Sequence, residues 1–229
     1  MEQNTKKIGG FPFIPYHHET FSSDEMILRS SSFFKWMDGR RTVRDFSNAP
    51  VPKAVIENIL RSASTAPSGA HKQPWTFCAI SDPKLKSQIR VAAEKEEYES
   101  YHGRMNEHWL EDLKSFQTDW HKPFLETAPW LIAVFRRIYE TDAEGEKRNN
   151  YYVHESVGLA CGFLLTAIHQ AGLVALTHTP SPMNFLQSIL QRPDNERPFL
   201  LIPVGYCAEN TYVPDIKRKS LEEIVRFFE

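Results

Sequence analysis

The sequence predicts an α+β domain, and three observations support this. The chain of 229 residues is 41% hydrophobic, which is enough to bury a substantial core. The segment 152–171 is apolar on nearly every face of a helix. Short β-rich runs alternate with segments of helical periodicity; they are WTFCAI (75–80), WLIAVF (130–135), LVALTH (173–178) and FLLIPVGY (199–206). We therefore expect a single domain over residues 23–229, preceded by an extended N-terminal arm over residues 1–22.

Two helices are predicted before the first strand. Ser23 and Asp24 can cap the first helix, whose apolar residues lead up to Gly39, and the second begins near Pro52. Between them, RRTVRDF (40–46) packs three arginines into five positions, although the formal net charge of the chain is only −2. Because the chain is not basic overall, a nucleic-acid binder is excluded and the arginines indicate a local anion site. The alternative is a basic helix end that complements the helix dipole.

The apolar helix at 152–171 is long enough to resemble a membrane span. Polar residues near its ends and Gly172 as its stop favour a buried helix instead. It is either a core helix of the domain or the seam of a dimer.

Cysteine usage and the N-terminus predict a cytoplasmic protein. Cys78, Cys161 and Cys207 form an odd set in apolar runs, which is typical of buried thiols in a reducing compartment. The first 20 residues carry charge and proline where a signal peptide or an anchor needs an unbroken apolar run. Metal-ligand spacings, a G-x-S-x-G elbow and a G-x-G-x-x-G fingerprint do not occur, so no metal centre, serine nucleophile or Rossmann domain is indicated.

Several motifs together resemble a known family. RRTVR (40–44), APSGAHKQPW (66–75) and PVGY (203–206) follow one another as in the FMN-dependent nitroreductase superfamily. Inside it, the chain is most similar to the iodotyrosine deiodinase family, over about Phe13 to Arg226. The features that carry this similarity are Glu97, Tyr101, Lys122, LTHTP (176–180) and VPDIKRKSLEEI (213–224). The resemblance implies a nitroreductase-like fold with a mainly antiparallel central sheet flanked by helices, and an intertwined homodimer whose two subunits build each site.

FMN would explain the arginines, because planar guanidinium groups bind phosphate bidentately. By resemblance, Arg40 and Arg41 with Arg218 hold the phosphate and ribityl chain. Arg44 lies near the flavin N1–O2 edge, where positive charge stabilises the reduced ring. The resemblance assigns further flavin contacts to Thr42, Val43, Ser68, Gly69, Thr177, His178 and Thr179.

Thr179 is the catalytic residue that the resemblance implies, since its hydroxyl bonds the flavin N5 and favours one-electron steps. Strand neighbours point to opposite faces, so His178 is expected to contact FMN only through its backbone. A catalytic acid role for His178 stays open. The resemblance also gives the N–H of Ala70 to the phenolate oxygen of the substrate, and it leaves the role of His71 open.

The substrate-binding set lies in a predicted lid over about 92–125. Glu97 and Tyr101 are four apart and share one helical face, and Lys122 follows later. A carboxylate, a cation and a phenol suit an amino-acid zwitterion. Spacing alone equally allows Glu94 with Tyr98, or merely a solvated acidic helix; only the resemblance selects Glu97, Tyr101 and Lys122.

The resemblance implies FMN-dependent reductive dehalogenation of halotyrosines, in which iodotyrosine gives tyrosine and iodide through sequential one-electron transfers from reduced FMN. Electrons would come from an external reductase or a nicotinamide donor. Neither nucleic acid nor membrane is an expected partner. Two alternatives stay open: a general nitro- or quinone reductase of the same fold, and a non-catalytic flavin-binding protein.

Overall fold

The structure is a computed structural model that describes residues 5–229. It divides into two compact units, one ending at Gly39 and the other running from Arg40 to Glu229. The first unit contains a hairpin and a helix; its elements are β1 (Lys6–Ile8), β2 (Phe11–Phe13) and α1 (Ser23–Asp38). The predicted arm over 1–22 includes residues 1–4, which lie outside the described residues, so its boundary stays a prediction.

Helix α1 begins at Ser23, so its N-cap lies one residue before the predicted cap. Ser22 is the N-cap, and its hydroxyl accepts the N–H of Glu25 at 3.3 Å. A hydroxyl in this position satisfies one of the amides that a helix leaves without a partner. The helix ends at Gly39, as predicted.

The second unit is built on a four-stranded sheet of order β3-β4-β8-β7, in which every pairing is antiparallel. Its strands are β3 (Trp75–Ile80), β4 (Trp130–Arg137), β7 (Val174–Ala175) and β8 (Glu196–Gly205). A separate hairpin pairs β5 (Tyr139–Thr141) with β6 (Lys147–Asn149). The prediction of a mainly antiparallel central sheet flanked by helices is confirmed.

The third predicted strand, 173–178, was wrong in length. Only Val174 and Ala175 pair regularly with β8, opposite Gly205 and Val204. The next hydrogen-bonding position of β8 is Pro203, which has no N–H to donate, so the ladder breaks there. The chain rejoins the sheet at one bridge, between His178 and Leu201.

Helices cover both faces of this sheet. The α-helices of this unit are α2 (Lys53–Ser64), α3 (Pro83–Glu99), α4 (Glu107–Lys114), α5 (Phe124–Thr127), α6 (Val153–Gln170), α7 (Asn184–Ile189) and α8 (Leu221–Ile224), with a π-helical turn at Ser100–Arg104. Alternation along β4 sends Ile132 and Val134 toward α2 and α6, and Leu131, Ala133 and Phe135 toward α3, α5 and α7. The sheet therefore separates two apolar cores.

Helix α6 has one buried and one exposed face. Its buried face, which includes Val157 and Leu164, packs on α2 and the sheet. Its other face leaves Leu159 and Phe163 exposed by 48% and 43%. In the single chain it is thus a core helix, and a stripe of apolar side chains remains in water. Among residues 5–229, no helix combines the length and apolar character that crossing a bilayer requires.

The cysteines do not share one environment. Cys161 is buried and Cys78 is partly buried, but Cys207 is exposed, so the prediction of three buried thiols was wrong. Cys207 is the last residue of its apolar run and lies two residues after β8 ends at Gly205.

Candidate functional site

The RRTVR segment adds an edge to the sheet beside β7. Thr42 forms a parallel bridge with Ala175, and the N–H of Val43 donates to the Ala175 carbonyl at 3.2 Å. Side chains of extended backbone alternate, so Val43 enters the core while Thr42 and Arg44 line a cavity on the other side. Thr42, Val43 and Arg44 were all predicted to contact a cofactor, but the buried side chain of Val43 does not line the cavity.

That cavity has a volume of about 310 Å³, and cationic side chains dominate its wall. Its lining consists of Arg40, Arg41, Thr42, Arg44, Phe116, Thr177, Pro214, Ile216, Lys217 and Arg218. The C-terminal segment is fixed there by arginines, because Arg218 donates to the Arg40 carbonyl at 2.9 Å and Arg41 donates to the Pro214 carbonyl. The structure thus brings Arg218 to the arginines that the sequence places almost 180 positions away.

Four members of this wall were not predicted as site residues: Phe116, Pro214, Ile216 and Lys217. Lys217 stands in the KRK run of the tail and could have been noticed there. Phe116 comes from the predicted lid, and no local pattern links it to the arginines. Its ring lies 5.8 Å from the Arg44 guanidinium carbon, measured to the ring centroid, which suits a cation–π contact.

The electrostatics of the cavity favour an anion. Burial, together with the neighbouring charges of Arg218 and Arg41, lowers the pKa of Arg40. Burial also lowers the pKa of Arg44. An arginine nevertheless stays charged at any working pH, so the like charges repel one another. Since the lining includes no acidic side chain among the residues described, a bound anion would relieve this repulsion.

The segment that follows β7 alternates between the cavity and the core. Thr177 and Thr179 are exposed, and Thr177 lines the cavity, whereas His178 is buried. The His178 N–H donates to the Leu201 carbonyl at 2.8 Å, and its own carbonyl accepts the Leu201 N–H at 3.0 Å. The expectation that His178 contacts a cofactor through its backbone is therefore not supported, because both backbone groups already pair within the sheet.

Beside the cavity lies a buried cluster of charges from α3 and the segment before α5. The Lys122 ammonium lies 3.4 Å from Oε2 of Glu97, and both side chains are buried. The Lys122 ammonium also lies 5.5 Å from the centroid of the Tyr101 ring, and the Tyr101 hydroxyl donates to the Thr118 carbonyl at 3.1 Å. The predicted Glu97, Tyr101 and Lys122 side chains are thus brought together.

The competing pair, Glu94 and Tyr98, faces elsewhere. Glu94 accepts from Arg90 at 2.8 Å and from the Lys122 backbone N–H at 2.7 Å, so it anchors the backbone that carries Lys122. The Tyr98 ring stacks on His102 with centroids 4.0 Å apart and is exposed. Of the two pairs that helical spacing allows, only Glu97 and Tyr101 face the side-chain ammonium of Lys122.

Burial shifts the proton affinities of the cluster. It raises the pKa of Glu97 and lowers that of Lys122, and each shift is opposed by the charge of the other residue. Burial and the Glu97 charge raise the pKa of Tyr101. Because Glu97 and Lys122 hold each other in the charged state, a partner that removes one of them must replace its charge.

The predicted contacts in the APSGAHKQPW loop lie away from this site within one chain. The Gly69 N–H donates to the Ser156 hydroxyl at 3.4 Å, and a Cβ at Gly69 would lie 2.9 Å from the Tyr152 ring, so the loop packs on the start of α6. The Ser68 hydroxyl accepts the Gln73 N–H at 2.9 Å, and Ala70 has a left-handed φ of 48°.

The sheet explains this separation. The loop leads into β3, which is the edge strand opposite β7. Trp75 pairs with Arg136 at one end of β4, whereas the β7 side of the sheet reaches Trp130 at the other end. At roughly 3.4 Å per residue and 4.8 Å per strand, Ser68, Gly69 and Ala70 lie at the far end and far edge of the sheet from the arginines.

Comparisons with known proteins agree with this architecture. The nitroreductase family profile matches residues 37–206. The iodotyrosine deiodinase of Haliscomenobacter hydrossis is 68% identical over 91% of this chain and 94% of its own length. The chain belongs to the nitroreductase family, on its iodotyrosine deiodinase branch.

More distant members of the iodotyrosine deiodinase branch are also similar. Human iodotyrosine deiodinase 1 is 45% identical over 93% of this chain and 74% of its own length. The crystal structure of an oxidized iodotyrosine deiodinase bound to FMN and 3-iodo-L-tyrosine superposes with a TM-score of 0.71 at 32% identity, covering 86% of this chain and 98% of the other. In the described part of this nitroreductase-family chain, no three His, Cys, Asp or Glu side chains converge as a metal site would require.

Proposed function

We propose that the protein is an FMN-dependent halotyrosine dehalogenase that converts iodotyrosine into tyrosine and iodide. The observation that carries this proposal is the adjacency of two unlike sites in one unit. One is a cavity walled by arginines, and the other is a buried Glu97–Lys122 pair with Tyr101. The arginine cavity suits a phosphorylated cofactor, and the pair suits an amino-acid zwitterion. A general nitroreductase requires the cofactor site but does not require a site for an amino-acid zwitterion.

FMN fits the donor set of the cavity. Guanidinium groups from Arg40, Arg41 and Arg218 would hold its phosphate, since all three line the cavity and planar guanidinium groups bind phosphate bidentately. Arg44 and Thr177, on the same wall, would meet the rest of the cofactor. Thr179 follows on the same exposed side of the segment and is the proposed donor to the flavin N5.

The buried pair would recognise the amino-acid group of the substrate. The substrate carboxylate would bind Lys122, its ammonium would bind Glu97, and the Tyr101 hydroxyl would bridge them. The pair is closed on itself in this structure, so the zwitterion replaces one internal ion pair by two external ones without leaving a buried charge unpaired. The segment 92–125, which supplies all these residues, is the proposed lid over the substrate.

The reaction needs two electrons and one proton: the carbon–iodine bond breaks, a carbon–hydrogen bond forms, and iodide leaves. When bound, reduced FMN supplies the electrons, which an external reductase or a nicotinamide donor must restore. The residues of the chain hold the phenol ring in place. Water is excluded by the lid, which strengthens the charge pairing with the zwitterion.

We also propose that the working form is a homodimer in which Ser68, Gly69 and Ala70 of one subunit complete the cavity of the other. Two observations support it. This loop and the arginines occupy opposite edges of the sheet in one chain. The loop also packs on α6, whose exposed Leu159 and Phe163 form an apolar stripe suited to burial against a second copy.

The activity is tested by a single anaerobic turnover. The FMN-loaded protein is reduced with dithionite and mixed with iodotyrosine, and the expected products are one iodide and one tyrosine per flavin. Nitroaromatic and quinone turnover with nicotinamide donors is measured in parallel. Fast turnover of those compounds without iodide release would instead indicate a general reductase. A protein that binds FMN but turns over none of these compounds would be a flavin-binding protein.

The dimer is tested on the exposed face of α6. Phe163→Glu should give a monomer that loses FMN, because the charge cannot be buried in an apolar interface. Val91→Glu is the matched control, since Val91 is an exposed apolar residue on α3. Light scattering and the flavin absorbance report the two properties. A wild-type monomer that retains FMN would refute the shared site.

A further inference from the structure

His178 has a side chain that the proposed reaction leaves without a role. It is buried, with 6% of its surface exposed, and the edge of Phe124 contacts it with ring centroids 5.6 Å apart. Its Nε2 atom is inaccessible and has no hydrogen-bond partner among the residues described. A buried polar group of this kind is costly, so the position is not explained by packing alone.

The imidazole faces the substrate-binding carboxylate. Nδ1 of His178 lies 3.8 Å from Oε1 of Glu97, whereas Oε2 of Glu97 faces Lys122 at 3.4 Å. The two oxygens are therefore divided between a neutral donor and a cation. His178 itself is held by its paired backbone bonds to Leu201, so it is anchored to the sheet while Glu97 belongs to α3.

We propose that His178 is a positioning residue that holds the Glu97 carboxylate in place to receive the ammonium of the substrate. This inference rests on the proposed function. When the zwitterion binds, Lys122 turns to the substrate carboxylate and leaves Oε2 of Glu97 free for the ammonium. Nδ1–H of His178 then donates to Oε1, because a small rotation of the Glu97 side chain closes the remaining distance to a hydrogen bond.

A neutral imidazole suits this role better than a cation would. Burial, together with the charges of Lys122 and Arg44, lowers the pKa of His178 to about 3. The side chain therefore offers a donor without competing with the ammonium for the carboxylate. The titratable and charged groups around it are Glu97, Lys122 and Arg44. A cation at position 178 would instead neutralise Glu97 before the substrate arrived.

The test compares a ligand that carries the zwitterion with one that lacks it. Dissociation constants of iodotyrosine and of 2-iodophenol are measured on FMN-loaded protein by quenching of flavin fluorescence. His178→Leu should raise the ratio of the iodotyrosine constant to the iodophenol constant at least tenfold. His178→Asn, whose neutral amide N–H can stand near the position of Nδ1 and donate to the carboxylate, should restore the ratio to within about threefold of the wild-type value. His17→Leu, at an exposed histidine outside the lid, is the control.

Each outcome is decisive. An unchanged ratio in His178→Leu would overturn the positioning role, as would a failure of Asn to restore what Leu loses. A purely structural role would weaken both ligands together and lower flavin content in both variants, which also overturns it. If the wild-type protein binds iodophenol but not iodotyrosine, the proposed function fails and this inference fails with it.

Discussion

The arginine cavity and the Glu97–Lys122 cluster lie side by side but handle charge in opposite ways. The cavity is lined by cationic side chains, including Arg40, Arg41 and Arg44, and an open space of about 310 Å³ lies between its walls. The cluster is buried and already neutral, because its carboxylate and ammonium lie 3.4 Å apart. The cavity is preformed for an anion, whereas the cluster must exchange its internal ion pair for contacts with the ligand.

Because of this difference, the cavity favours tight binding of its anion and the cluster favours selection among ligands. A preformed set of cations binds its anion without reorganisation, which suits a cofactor that stays bound. A closed pair gives up its internal contact only to a ligand that offers both charges, so a ligand with one charge or none gains nothing from it. Substitutions in the cavity should therefore weaken mainly FMN binding, and substitutions in the cluster should weaken mainly substrate binding.

The largest expected effect is that of Lys122→Ala on substrate binding. Removing the cation leaves Glu97 buried without its partner and takes away the site of the substrate carboxylate, so the dissociation constant of iodotyrosine should rise at least about 100-fold. Nitroaromatic turnover should survive, because these compounds carry no zwitterion. Lys95→Ala, at an exposed lysine of α3, is the control. Equal losses of iodotyrosine binding and nitroaromatic turnover would make Lys122 a structural residue. Lys122→Met, which keeps the side-chain volume, is the second variant to measure if Lys122→Ala does not fold.

The second effect concerns stability in acid. The pKa of His178 is lowered to about 3 in the folded protein, so below its usual value of about 6.5 the unfolded chain binds a proton that the folded chain does not. The stability from His178 is complete above pH 6.5 and is lost as the pH falls toward 3. Between pH 7 and 4.5 the wild type should lose about 2 to 3 kcal/mol more unfolding free energy than His178→Asn. Urea melts at the two pH values measure this, and parallel losses in both proteins would contradict it.

Much of this architecture could be predicted from the sequence, and the failures have physical causes. The β-rich composition of WTFCAI predicted a strand with the bounds that the structure has. The strand LVALTH was predicted too long because strand propensity does not show which residue pairs with it, and Pro203 on β8 has no N–H to donate. The position of Phe116 in the cavity wall and that of the His178 side chain beside Glu97 depend on contacts between segments that are distant in the sequence. The pairs Glu94–Tyr98 and Glu97–Tyr101 have the same spacing, and only the tertiary fold distinguishes them.

A third effect separates the cofactor from the substrate. Arg218→Ala should raise the FMN dissociation constant at least tenfold, since a charge-assisted bond to phosphate is worth roughly 1.5–3 kcal/mol. At saturating FMN its affinity for iodotyrosine should match that of the wild type. The neighbouring Lys219→Ala is the control, because Lys219 does not line the cavity. Flavin released on dilution gives the constant, and unchanged retention would remove Arg218 from the cofactor site.

The smallest effect is expected at Thr179. Loss of a single neutral hydroxyl donor costs about 1 kcal/mol, so Thr179→Ala should slow iodide release about fivefold while iodotyrosine binding stays the same. Stopped-flow reoxidation and an equilibrium titration separate the two quantities. A weaker binding constant with an unchanged rate would assign Thr179 to the substrate rather than to the flavin.

The central claim is that the cavity and the cluster act as one site, joined by Arg44, which lines the cavity and whose charge also bears on the pKa of Tyr101 and Lys122. The most direct test is the FMN dissociation constant with and without saturating iodotyrosine, since coupling between two ligands is reciprocal. We expect iodotyrosine to lower the FMN dissociation constant at least tenfold in the wild type and to leave it unchanged in Lys122→Ala. An FMN dissociation constant that iodotyrosine leaves unchanged in the wild type would contradict it.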